Sequence, residues 1–309
     1  MGNSSFFKMK KNITLSIGIC AYNEEQNIKS VINNALLQKQ EGWTLSEVLV
    51  YSDGSTDQTE SKVKSIKSKH LKLIVGKNRL GKTRRLNQLF RDFSSNILVV
   101  LDADIKLKDE NVVTKIVEEF KSNDAIMLVG GNSTPIRPKT FFQKAVYSTF
   151  KVFYASRINF RGGHNVFGCT GSILGIRSAF AKKLTLPAVV NEDAYMYLKC
   201  KEKGYQFRYV DSAVIFYKLP ENVKDYVRQV LRSEPTAVSH DLSDYFKDIE
   251  SELRRPLFPY AKNVLKEFFI NPLGVSLMIT LNFACLPFMG MIQKKYSLNW
   301  FTATSTKNL

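Results

Sequence analysis

Cysteine and histidine are scarce in this sequence. Only four cysteines and three histidines occur in 309 residues. Cys20, Cys169, Cys200 and Cys285 stand far apart, with no Cys-x-x-Cys pair and no Cys/His spacing of a zinc site. Zinc and redox chemistry therefore find no support, and unpatterned cysteines suit a reducing compartment. Acid is the second shortage. Asp and Glu number 28 against 45 Lys and Arg, a net charge of +17. Such an excess favours anionic partners. Nucleic acid binders gather their charge in one patch, whereas here only short runs such as Lys8-Met9-Lys10-Lys11 and Arg84-Arg85 break an even spread. Phosphate groups and a membrane surface are thus favoured, and no nucleic acid partner is expected. No apolar core of signal-peptide length stands near the start. Phe6 occupies the position where a myristoylation pattern on Gly2 needs Ser or Thr. Neither an internal repeat nor a low-complexity tract is visible.

Charge is missing altogether from residues 268–293. That length can span a bilayer, which takes ~20 residues, although Asn271, Pro272, Asn282 and Pro287 interrupt it. We expect membrane embedding as a kinked span or re-entrant hairpin, with a buried core hairpin as the alternative. Arg254, Arg255, Lys262 and Lys266 precede the segment and Lys294 and Lys295 follow it. That asymmetry places the main domain on the cytoplasmic side.

What is present is an alternation. Apolar runs at 15–20, 47–51, 71–75 and 97–101 read as strands. Helical patterns at 24–38, 56–67 and 82–93 separate them. This predicts an α/β fold, a mostly parallel sheet with helices on both faces. Further strands are expected at 125–130, 172–176, 207–210 and 214–217, and helices at 141–160, 191–203, 221–232 and 241–255. The 141–160 helix carries aromatic and basic residues, which suits either a membrane interface or a core helix with a solvated side. The expected organisation is one α/β domain with a first half at about 13–105 and a second half at about 106–220. Charged amphipathic helices at 221–267, the apolar segment and a tail at 294–309 follow.

The chemistry gathers where strands end. Asp102 and Asp104 close the run Ile97-Leu98-Val99-Val100-Leu101. Ligands in open α/β sheets bind outside the carboxyl ends of strands. Two hard oxygen ligands there suit Mg2+ or Mn2+, with substrate phosphates completing the shell. Alone, the pair also reads as solvated loop acids. The other strand ends carry Tyr22-Asn23-Glu24-Glu25, Ser52-Asp53-Gly54-Ser55-Thr56-Asp57, and Gly81-Lys82 with Leu86-Asn87 downstream. An edge so furnished could hold a base and ribose at Asp53, a diphosphate near the metal and a sugar beyond. A rival signal overlaps it: residues 76–83 fit the Walker A pattern, between a strand and a helix. A P-loop ATPase is therefore an alternative, although its loop would follow the third strand and leave the other polar strand ends unexplained.

Taken together, these segments resemble the family 2 inverting glycosyltransferases, which have the GT-A fold. The resemblance covers about residues 15–232. It implies a nucleotide-sugar donor and a divalent cation, Mg2+ or Mn2+. By that resemblance Tyr22, Asn23, Glu24, Asp53, Lys82 and Asp102 bind the donor, Asp53 at the nucleobase and Asp102 at the ribose or sugar. Asp104, with Asp102, holds the metal. Gly168-Cys169-Thr170-Gly171-Ser172 resembles the family's acceptor segment, with Gly171 on the acceptor side. Glu192-Asp193 resembles its acidic pair, in which Asp193 is the general base that removes the acceptor hydroxyl's proton. Gln229 and Arg232 fall in a segment similar to the Gln-x-x-Arg-Trp motif of membrane polysaccharide synthases. Ser233 replaces its Trp, so transfer of one sugar or a few is expected rather than polymer synthesis. His240 is a candidate for the diphosphate or metal, and His70 and His164 are expected at the surface or in structural roles. The implied reaction moves a sugar from a UDP-sugar, or secondly GDP-mannose, to a polyprenyl- or dolichyl-phosphate-linked or glycan acceptor at a membrane. A non-catalytic nucleotide-sugar-binding protein is the remaining alternative.

Overall fold

The structure is a computed structural model that describes residues 13–288 and 304–307. The chain enters through β1 (Ile13–Ala21), α1 (Ile28–Leu36), β2 (Trp43–Ser52), α2 (Thr59–Lys64), β3 (Leu71–Val75), α3 (Lys82–Asp92) and β4 (Ile97–Asp102). There follow β5 (Lys106–Leu107), α4 (Val112–Ser122), β6 (Ile126–Pro135), α5 (Phe141–Asn159), β7 (Ile173–Arg177) and α6 (Ser178–Ala181). Then come α7 (Glu192–Glu202), β8 (Gln206–Tyr217), α8 (Val223–Ser233), α9 (Pro235–Leu242), α10 (Ile249–Leu253), α11 (Leu257–Ile270) and α12 (Pro272–Cys285). The strands form one sheet in the order β3-β2-β1-β4-β7-β6-β8-β5. β1 pairs in parallel with β2 and β4, and β2 with β3. β7 runs antiparallel between β4 and β6, so the sheet is mixed beyond its parallel first half.

Side-chain alternation explains the layering. In β4, Ile97, Val99 and Leu101 enter one core with α1 and α4, while Leu98 and Val100 enter the other with α3 and α7. Strands buried on both faces read as continuous apolar runs. Along α1, Ile28, Val31, Ile32 and Ala35 are buried, the spacing of one helical stripe. On β1, a Cβ at Gly18 would lie 2.3 Å from Leu89 of α3, so glycine sets how closely that helix approaches the sheet.

Several boundaries differ from expectation. Residues 207–210 and 214–217 belong to a single strand, β8, whose register against β6 jumps from Gly131↔Val210 to Asn132↔Val214. The extra residues bulge out and leave no turn to separate two strands. The expected helix at 241–255 is broken into the end of α9 and the short α10. α5 is a core helix along one side, burying Val146, Val152 and Arg157, and it packs against α11 and α12.

The apolar stretch that begins at 268 does not form one span. Asn271 ends α11, and its side chain accepts from Gly274 N at 3.1 Å to start α12, with Pro272 at the first helical position. α12 has 14 residues, against ~20 for a bilayer crossing. Among the described residues no helix is long and apolar enough to cross a membrane. Residues 289–293 of the expected segment lie outside the described residues.

Candidate active site

The ends of β1 and β2 are fastened to each other before any ligand is considered. Asn23 has φ 52°, a left-handed conformation that Asn tolerates better than most residues. Its N–H donates to Ser55 Oγ at 3.1 Å, and its Oδ1 accepts from Thr56 N at 2.8 Å. Glu24 N donates to Thr59 Oγ1 at 2.7 Å, and Glu25 N to Asp57 Oδ2 at 3.1 Å. Asn23 is thus a clasp between the two loops. Tyr22 is half-buried under the Arg79 guanidinium, which lies 3.9 Å from the ring centre.

Asp53 is fully buried. Its Oδ1 accepts from Leu80 N at 2.8 Å and from Arg85 Nε at 2.7 Å, and its Oδ2 from Gly81 N at 2.9 Å. Arg85, itself buried, also donates to Asn78 O at 2.7 Å. In this arrangement Asp53 has no exposed oxygen for a nucleobase. It ties the 76–81 loop to α3 instead. The same bonds correct the P-loop alternative. A phosphate cradle needs free N–H groups in that loop, and here those of Leu80 and Gly81 point at a carboxylate of the chain.

Lys82 opens α3 and reaches across the sheet edge. Its Nζ donates to Asp102 Oδ1 at 2.7 Å and pairs with Glu192 Oε1 at 2.8 Å. Burial would lower its pKa, but the two carboxylates raise it overall, so the ammonium is held charged. Asp193 accepts from Gly171 N at 2.9 Å through Oδ2 and from Ala194 N at 2.8 Å through Oδ1. Burial, then the charge of Glu192, pushes its pKa up to about 6, against the opposing pull of Lys82. A Cβ at Gly171 would stand 3.1 Å from Lys82 Nζ and 3.7 Å from Asp193 Oδ2. The absent side chain leaves room where these charges converge.

Asp104 lies beyond Asp102 in a field of like charge. Burial, then Asp102 and Glu24, pushes its pKa up to about 7. A divalent cation would relieve such a cluster, and hard carboxylate oxygens are its ligands. Among the described residues no group of three or more His, Cys, Asp or Glu side chains could hold a metal alone. Asp104 and Asp102 are the residues of this edge that could offer oxygens to such a cation.

Lys82, Asp102, Asp104, Glu192 and Asp193 line one cavity of about 510 Å³. Glu24, Gly171, Gln229 and Arg232 line it too, the last two from α8. Asp53, Tyr22 and Asn23 are not among its lining residues. His240 is exposed on α9 and does not line the cavity either. His164 has a structural role, its Nδ1 accepting from Tyr209 N at 3.0 Å, and His70 holds Ser46 O at 3.1 Å. Two contributors escaped sequence reading. Asp241 Oδ2 accepts from Val190 N at 2.9 Å and Asn191 N at 2.8 Å, which fixes the entry to α7 just before Glu192 and Asp193. Lys307 pairs with Glu24 Oε1 at 3.0 Å and donates to Tyr22 O at 2.8 Å. Neither carries a local sequence signal, because each acts on residues remote in the chain.

Residues 16–185 match the family described as Glycosyl transferase family 2, more than half of the chain. The chain belongs to that family. A curated relative, poly-beta-1,6-N-acetyl-D-glucosamine synthase of Staphylococcus aureus (strain COL), is 26% identical over 249 residues. The match covers 78% of this chain but only 58% of that protein. Solved structures share the GT-A fold. A mannosyltransferase from Pyrobaculum calidifontis, in complex with GDP-Man and Mn2+, superposes with a TM-score of 0.59 at 18% identity, covering 91% of this chain and 76% of that one. Glucosyl-3-phosphoglycerate synthase from Mycobacterium tuberculosis, with Mn2+ and UDP, gives 0.52 at 16% identity, covering 75% and 78%. S. aureus TarS gives 0.51 at 17%, covering 83% and 72%.

Proposed function

We propose that this domain transfers one sugar, or a few, from a nucleotide-diphosphate sugar to a lipid-linked or glycan acceptor, with inversion at the anomeric carbon. A UDP-sugar is the first choice of donor and GDP-mannose the second. The observation that carries this reading is the placement of Asp193. It is a carboxylate with its pKa raised toward neutrality, on the same cavity as Asp102 and Asp104, and its neighbour Glu192 is joined to Asp102 through Lys82. A base of that acidity is matched to an acceptor hydroxyl at neutral pH. Its two backbone bonds from Gly171 and Ala194 fix its oxygens, so the proton is taken at a defined point. Lys82 keeps Asp102 and Glu192 in place. A divalent cation bound at Asp104 and Asp102 would stabilise the charge that develops on the departing diphosphate. Asp53 serves by holding the loop from which Lys82 starts.

Membrane association belongs to the same proposal. Phe258 of α11 and Phe283 of α12 are exposed, and Arg254, Lys262 and Lys266 lie nearby in sequence. Apolar side chains flanked by cations suit a helix pair that rests in an anionic membrane interface. Such a placement would put the cavity mouth beside lipid, with the domain on the cytoplasmic side.

A thermal-shift panel of UDP, GDP, dTDP and ATP, each with and without Mn2+, tests the reading. A ligand that binds the folded state stabilises it with the logarithm of its saturation. We expect stabilisation by UDP, or secondly GDP, that depends on Mn2+ and is lost in Asp104→Asn. Stabilisation by ATP alone would overturn the reading.

A further inference from the structure

The cavity that holds Asp193 continues away from the donor side toward α5 and α11, and its chemistry changes there. Arg157 of α5 heads the largest fully buried side chains, at 2% exposure. Its guanidinium lies between two rings, 5.0 Å from the centre of Tyr154 and 4.8 Å from that of Tyr209. Its terminal nitrogen donates to Asn132 Oδ1 at 3.2 Å, and its Nε has no hydrogen-bond partner. A guanidinium carries five N–H donors and cannot shed its charge, so a buried one without a carboxylate is costly. Among the described residues Arg157 makes no ion pair. Asp211, the acid bonded to the same Tyr154, Tyr209 and Asn132 side chains, accepts from the two hydroxyls at 2.9 Å and 3.0 Å and from Asn132 Nδ2 at 3.0 Å.

A second arginine repeats the pattern. Arg255 lies over Phe153 at 5.1 Å, Phe167 at 4.8 Å and Tyr260 at 5.7 Å. Its Nε is buried and also lacks a partner. Both arginines line the cavity that holds Asp193, together with Phe150, Phe153 and Tyr260. Lys218 and Arg228 of the same cavity are already matched, with Glu221 at 3.0 Å and with Asp225 at 3.4 Å. Two stacked guanidiniums with donors to spare, set in aromatic walls, suit an anion with several oxygens joined to an apolar chain. Guanidinium geometry matches phosphate oxygens, and the aromatic faces suit the chain.

We propose that Arg157 and Arg255 form a subsite for the phosphate of an amphiphilic phosphate ester, which serves as the acceptor or carries it. This rests on the reading of the cavity as a glycosyltransferase acceptor site. The apolar part of the ligand runs along Phe150, Phe153 and Tyr260, toward the exposed side chains Leu257 and Phe258 at the start of α11.

Calorimetric titration of the full chain, saturated with UDP and Mn2+, tests this with three probes: farnesyl phosphate, farnesol and inorganic phosphate. We expect farnesyl phosphate to bind at least tenfold more tightly than either of the others. Arg255→Gln should weaken farnesyl phosphate at least tenfold, leave farnesol within twofold and leave the UDP affinity unchanged. Arg157→Lys, which keeps charge but loses the planar fork, should weaken it less than Arg157→Gln. Arg255 is half-buried, so its variant keeps the test usable if Arg157 variants fail to fold. Farnesol binding as tightly as farnesyl phosphate would overturn the proposal, as would equal losses for both ligands in Arg255→Gln. Inorganic phosphate binding as tightly as farnesyl phosphate would overturn its apolar half. Failure of UDP to bind at all would count against the glycosyltransferase reading itself. UDP binding, with sugar passed to a neutral oligosaccharide and no farnesyl phosphate bound, would sink the subsite alone.

Discussion

The sheet edge at β1–β4 and the helical end at α5, α11 and α12 treat their side chains in opposite ways. At the sheet edge nearly every polar group has a partner within the chain. Asp53 has three donors, Lys82 has two carboxylates, and Asn23 bridges two loops. The groups left in tension are Asp104 and Asp193, whose pKa values burial has raised to about 7 and about 6. At the helical end the mismatch is wholesale. Phe258, Phe269 and Leu273 are 82%, 78% and 74% exposed, while Arg157 and Arg255 sit on aromatic rings without acids. The first region is organised in advance for one kind of chemistry. The second leaves large apolar side chains and two arginines without acidic partners. In the function proposed above, the sheet edge carries the reaction, and the helices carry the acceptor and the membrane contact.

The comparison breaks most readily at Asp193. Asp193→Asn keeps an oxygen for one of the Gly171 and Ala194 bonds, sets its amide nitrogen against the other N–H, and removes the base. A positioned base contributes about 10²–10⁴-fold, so single-turnover sugar transfer should fall by about a thousandfold while UDP affinity holds. A loss under tenfold would mean that another group takes the proton. Next in size is Arg85→Ala. It leaves Asp53 charged, buried and deprived of its cation, which costs about 3–5 kcal/mol. Chemical denaturation should show that loss, and UDP binding should weaken because the 76–81 loop is released. A cost below about 1 kcal/mol would show that the sheet edge is not built on this pair.

On the helical side the expectation reverses. Phe258→Ser with Phe269→Ser removes side chains that touch mostly solvent, so stability should stay within about 0.5 kcal/mol of the parent. Binding to vesicles of anionic lipid should nonetheless fall about tenfold or more, since burying one Phe contributes about 1.5–3 kcal/mol. Unchanged vesicle binding with reduced stability would mean that this face packs against protein.

The same contrast decides what the sequence could reveal. Asp102 and Asp104 were legible because an apolar run ends on them, and strand ends face ligands by the topology of the fold. The third strand was read at its observed bounds, Leu71–Val75, for the same reason of local pattern. Asp53 was located correctly at a strand end, but its partner Arg85 was only one cation of a predicted helix. Asp241 and Lys307 gave no signal at all, since hydrogen bonds between residues remote in the chain have no period. The break between α9 and α10 was hidden because charged residues there continue a helical composition. The halt at Asn271-Pro272 was visible as an interruption, and capping turned it into a helix boundary.

The smallest expected effect separates chemistry from folding at the sheet edge. In the proposed role Asp193 acts as a base only when deprotonated, and burial pushes its pKa up to about 6. At saturating donor and acceptor, the transfer rate should therefore be flat above about pH 7 and fall tenfold per unit well below pH 6. Lys82 opposes the rise in that pKa, so Lys82→Met should move the midpoint upward. Stability carries the opposite sign. The folded pKa lies above the ~3.9 of a free Asp, so between about pH 4 and 6 the folded state binds more protons than the unfolded chain. The contribution of this group to stability is then present at low pH and lost as pH rises through about 6. Activity lost at pH 5 with the melting temperature retained would be the mark of base protonation. A midpoint below 5, or one that moves down in Lys82→Met, would remove Asp193 from that role.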